Sequence, residues 1–67
     1  MRAYRVVVGD RKPWRVEVQY RDDRTFAPLF GEDVWLTWSE HRWRWRAEEV
    51  AHTQARRERL WHSFRTA

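Results

Sequence analysis

Residues 42 to 46 read Arg-Trp-Arg-Trp-Arg, and the wider stretch Trp35 to Arg46 holds four of the six tryptophans in this 67-residue chain. Guanidinium groups neutralise phosphates and present a planar fork to phosphates and carboxylates, while indoles stack on unpaired bases or anchor contacts between proteins. Conformation decides what this segment can do. As a strand, its alternation puts Trp43 and Trp45 on one side and Arg42, Arg44 and Arg46 on the other, a core face backed by a cationic comb. As a helix, its two indoles stand about 200° apart and cannot both pack against one sheet.

Arg5 and Arg15 fall on neighbouring strand positions and extend the comb, and Arg56-Arg57-Glu58-Arg59 forms a second basic cluster late in the chain. Together Arg5, Arg15, Arg42, Arg44, Arg46, Arg56 and Arg57 are the candidate contacts to DNA or RNA. Each also has a plainer explanation. Trp43 and Trp45 are core, the strand arginines are a solvated face with Glu17 as cross-strand partner, and the late cluster is a cationic helix end suited to the helix dipole. If the chain instead docks on a larger protein or on a second copy of itself, Trp35, Trp38, Trp45 and Trp61 are the candidate anchors, because tryptophan and arginine are enriched at interface hot spots.

The remaining polar residues suggest no reaction. His41, His52 and His62 are too far apart in sequence for a zinc pair, and Glu49-x-x-His52 is half of a carboxylate–histidine helix motif without its second copy. Ser39 and Ser63 have nearby histidines but no glycine-bearing elbow. Asp22, Asp23, Glu32 and Asp33 read as turn caps. No catalytic residue, metal ligand, cofactor or small-molecule substrate is therefore assigned, and the chain is not expected to be an enzyme.

Such a short chain is expected to be a single domain, 1–67, near the lower limit for a fold without disulfides or metal, and it has no cysteine. Its eleven aromatic residues are the substitute, since each buries more area than an aliphatic side chain. No apolar run approaches the roughly 20 residues that span a bilayer and no secretion signal opens the chain, so no membrane association and a cytoplasmic location are expected. A net charge of +4 and a pI near 10.6 come from 14 basic residues interspersed with 10 acidic ones. Thirteen of the 14 are arginine, which G+C-rich codons or selection for bidentate contacts would produce.

Tyr4 to Val8 and Trp14 to Tyr20 are β-branched and aromatic, and the second alternates throughout, with Trp14, Val16, Val18 and Tyr20 inward. Gly9 to Pro13 joins them as a hairpin turn in which Gly9 is free to take positive φ. Phe26 to Gly31, with Pro28 inside it, reads as a loop whose two phenylalanines cover one end of the core. Strands near 34–38 and 42–46 follow, then a helix over about 47–63 with the stripe Ala47, Val50, Gln54, Arg57, Leu60, Trp61 and Phe64 and with Ala51 and Ala55 alongside. A rival start exists at Thr37, where Thr37-Trp-Ser-Glu40 has the form of a capping box. The order of hairpin, aromatic segment and acid-opened helix loosely resembles the arm-type DNA-binding modules of phage integrases over Trp14 to Tyr20 and Ala47 to Leu60. The stretch between is longer and richer in tryptophan than that pattern, so no family is assigned.

The expectation is thus an α+β fold, a small antiparallel sheet of three to four strands packed by one C-terminal helix. The leading function is a small basic nucleic-acid-binding module using an arginine-rich sheet face. The alternative is a small protein-binding effector, a phage-type inhibitor or a homodimer, docking through an exposed Trp/Arg patch.

Overall fold

A computed structural model describes residues 1–57 and the backbone of Arg65 and Thr66. Strands β1 (Arg2–Val8), β2 (Trp14–Tyr20) and β3 (Leu36–His41) precede helix α1 (Arg44–Arg57) and the short strand β4 (Arg65–Thr66). The sheet order is β3-β2-β1-β4, antiparallel except for β4, which runs parallel to β1 at Arg5 and Val6. The expected α+β architecture and hairpin are present.

The hairpin register places Tyr4 opposite Val18 and Val6 opposite Val16, so the apolar rows of the two strands meet on one face. Against them lie Ala47, Ala51 and Ala55, one turn apart on α1, and all seven side chains are buried. Alanine at the seam brings the helix backbone close to the sheet, so a stripe thin in apolar atoms still excludes water. Each buried valine contributes about 1.5–3 kcal/mol. Trp14, Tyr20 and Val50 pack at the margin of this core.

Several boundaries differ from expectation. Residues 42–46 are not a strand: β3 stops at His41 and α1 begins at Arg44. Ser39-Glu40-His41 lacks the residues of a tight hairpin, and the helix collects two ion pairs, Arg44 with Glu48 and Arg46 with Glu49, that a strand would not form. Nor does the helix start at Thr37, which is in β3 paired to Glu17. Arg57, expected on the buried stripe, is exposed, and the seam runs from Ala47 through Ala51 and Ala55, the alanines expected alongside it. The anchors expected at Leu60, Trp61 and Phe64 lie outside the described residues.

The third strand covers 36–41 rather than 34–38, because Val34 donates its N–H to Gly31 O at 3.2 Å in a turn that delays its start. Gly31 has φ 109°, which a side chain would resist. Gly9 is required for a different reason from the one expected. Its φ is not positive, but a Cβ there would lie 2.5 Å from Lys12 O. A bulge interrupts the β2–β3 ladder where Val16 pairs with Ser39 and Glu17 with Thr37, leaving Trp38 as the extra residue.

Candidate nucleic-acid interface

Two regions gather cations. The first is the sheet face turned away from α1, where Arg5 and Arg15 straddle Glu17. Arg5 gives both Nε and Nη2 to Glu17 Oε1 at 2.7 Å, and Arg15 Nη2 lies 3.1 Å from Oε2. Glu17 is only 6% exposed, so one carboxylate holds two guanidinium groups in a half-dry setting. The expected cross-strand partnership is real, and it consumes much of what these two arginines offer a phosphate.

The second region is the end of the fold where the β1–β2 turn, the β3–α1 junction and the start of α1 meet. His41 pairs with Trp14 beside that turn, and the Arg44 guanidinium lies 5.3 Å from the centroid of the Trp14 ring. Arg11, Lys12, Arg42, Arg44 and Arg46 therefore surround one corner. Burial first, then the positive charges of Arg46 and Lys12, depress the pKa of His41. Arg11, Lys12 and Arg42 have no carboxylate partner among the described residues, and the first turn of α1 carries no acid.

Trp43 and Trp45, expected inside, are 54% and 63% exposed at this corner. The Arg42 guanidinium lies 5.2 Å from the Trp43 ring centroid. The cause is helical geometry, since the seam through Ala47, Ala51 and Ala55 turns Trp45 outward. Arg42, Arg44 and Arg46 consequently do not share a face with Arg5 and Arg15. No protein-family model matches the chain, and no curated protein or solved structure is detectably similar to it.

Of the other candidates, Arg56 and Arg57 are exposed in the last turn of α1. Trp35 is half-buried beneath Arg5, whose guanidinium lies 4.2 Å from its ring centroid. Trp38 meets Tyr4 edge to face at 5.5 Å and remains 37% exposed. Trp61 lies outside the described residues. Among the described residues no three His, Asp or Glu side chains come together as a metal site, and no helix is long and apolar enough to cross a membrane.

Sequence reasoning missed Arg11 and Lys12 as members of the cationic corner, because only the β2–β3 register brings their turn to the helix start. It also assigned Glu32 and Asp33 to turns alone, whereas both line a cavity of about 400 Å³ together with Arg5, Arg21, Phe26 and Trp35. Their spacing in sequence gives no hint of that.

Proposed function

We propose that the chain is a small cytoplasmic nucleic-acid-binding module, not an enzyme, whose phosphate contacts come from the corner of Arg11, Lys12, Arg42, Arg44 and Arg46. The observation that carries this function is the interleaving of those cations with two indoles standing in water. Exposed indoles give bases a stacking platform while guanidinium groups neutralise the backbone, the combination used on single strands. Arg5 and Arg15 contribute less than their positions suggested, because the buried Glu17 holds both, whereas Arg44 and Arg46 are paired with the more exposed Glu48 and Glu49, surface contacts that a phosphate can displace.

The test is a salt titration of binding to single-stranded DNA and RNA. Each phosphate contact on a single strand adds about −0.7 to the log–log slope. Trp43→Ala and Trp45→Ala should each weaken binding, at about 1–3 kcal/mol per stacked base, without lowering stability by more than about 0.5 kcal/mol. Absence of binding at low salt removes the proposal.

A second reading, a protein-docking effector, draws on a different surface. Leu36 and Trp38 on the outer strand β3, with Phe30 against Tyr20, leave apolar side chains exposed beside an unpaired strand edge among the described residues. Its mark would be a concentration-dependent mass in solution, or a partner whose capture Leu36→Glu abolishes while Trp43→Ala leaves it intact.

A further inference from the structure

The loop between β2 and β3 folds back over the sheet face opposite α1 and borders an open cleft of about 400 Å³. Gln19 fastens the loop there. Its side chain, 2% exposed, donates from Nε2 to Glu32 O at 2.9 Å and accepts at Oε1 from Arg21 Nε at 2.8 Å. The lining includes the guanidinium-bearing Arg5 and Arg21 and the acidic residues Glu32 and Asp33. Phe26 and Trp35 supply aromatic surface.

Phe26 is the unusual member. The loop is closed by Asp22 N–H to Ala27 O at 2.8 Å and by Phe26 N–H to Asp22 O at 3.0 Å, and the Asp22 carboxylate accepts from Arg24 and Thr25 N–H. That closure puts Phe26 at φ 63°, a left-handed conformation that suits glycine or asparagine and costs a bulky residue backbone strain. Core packing does not explain the strain, because Phe26 is 53% exposed. It borders the cavity instead.

We propose that this cavity takes an unpaired nucleobase, an inference that rests on the nucleic-acid function and specifies it. The two arginines and two acidic residues of the lining balance, and Glu17 beside Arg5 is itself matched by Arg15, so neither a bare phosphate nor a cation is favoured over a neutral group. A base is neutral and flat, stacks on aromatic rings, and carries both donors and acceptors on its edge. Guanine suits this lining best. Its N1–H and amino group face acceptors such as Glu32 and Asp33, and its O6 and N7 face a guanidinium such as Arg21. The volume falls within the range of small-molecule sites.

The experiment uses the full chain and guanosine, which carries no phosphate, observed by saturation-transfer NMR. The expected result is saturable binding in the millimolar range, weakened about tenfold in Phe26→Gly, as loss of one ring–base stack implies. That variant relieves the strain, so its melting temperature should rise even as binding falls, which separates loss of the ring from loss of the fold. Asp33→Asn, at an exposed position, should also weaken guanosine binding. No saturation of guanosine, or equal affinity in Phe26→Gly, overturns the assignment. If single strands still bind with a salt-dependent slope in that case, the cationic corner stands and only the base pocket falls. If guanosine binds while polynucleotides do not, the pocket stands and the module as a polyanion binder falls.

Discussion

The Arg5 guanidinium sits between Glu17 Oε1, at 2.7 Å, and the ring of Trp35, with 4.2 Å to its centroid. One cation thus joins a buried carboxylate on β2 to an indole on the loop that leads into β3. The two contacts restrain the loop over the sheet without any apolar core on that side.

Replacing Glu17 by Gln should expose how much this clamp matters. The two guanidinium groups would be left facing each other across a nearly buried amide, and half-buried charges deprived of their partner are costly. Chemical denaturation should show a loss of about 1–3 kcal/mol. Binding to single strands should tighten at low salt in the same variant, because Arg5 and Arg15 would be released to phosphates.

Tyr4 presents the opposite case. Its ring is fully buried against the alanine seam, and its hydroxyl has no hydrogen-bond partner among the described residues. Burial pushes its pKa up, consistent with a phenol kept from water. Tyr4→Phe should therefore be neutral or stabilising by up to about 1 kcal/mol, whereas Tyr4→Ala should cost about 3–5 kcal/mol. Thermal melts of the two variants decide it. A clear loss in Tyr4→Phe would mean that the hydroxyl is satisfied in solution.

His41 should make stability depend on pH. Its pKa is lowered by burial first, then by Arg46 and Lys12, and Ser39 Oγ lies 2.8 Å from its Nε2. A base with a depressed folded pKa binds fewer protons folded than unfolded, so stability is intact above the unfolded value of about 6.5 and declines as pH falls below it. His41→Gln should flatten that decline below about pH 6.5. An unchanged slope in denaturation midpoints across that window would refute the role.

The alanine seam should be intolerant of bulk. Ala51 is fully buried between α1 and the valines of β1 and β2. Ala51→Leu should cost about 1–3 kcal/mol by forcing the helix away from the sheet, while a change at exposed Thr53 should stay within about 0.5 kcal/mol. Equal tolerance at the two positions would place the seam elsewhere.

By itself the sequence determined the hairpin and its inward rows, because strict alternation from Trp14 to Tyr20 leaves only one face able to be apolar. It also determined that an α-helix follows the sheet, from Glu48 and Glu49 set ahead of Arg56 and Arg57, an order that suits the helix dipole, and from apolar residues at helical spacing from Ala47 on. The direction of the tryptophans was beyond it. Arg-Trp-Arg-Trp-Arg satisfies a strand by alternation and tolerates a helix by propensity, and local preferences so nearly equal are settled by what the segment packs against. Tertiary structure settled them by docking Ala47, Ala51 and Ala55 on the valines, which started the helix at Arg44 and turned Trp45 into water. The cavity and the cationic corner were likewise decided there, since each joins residues that only strand register and loop closure bring together.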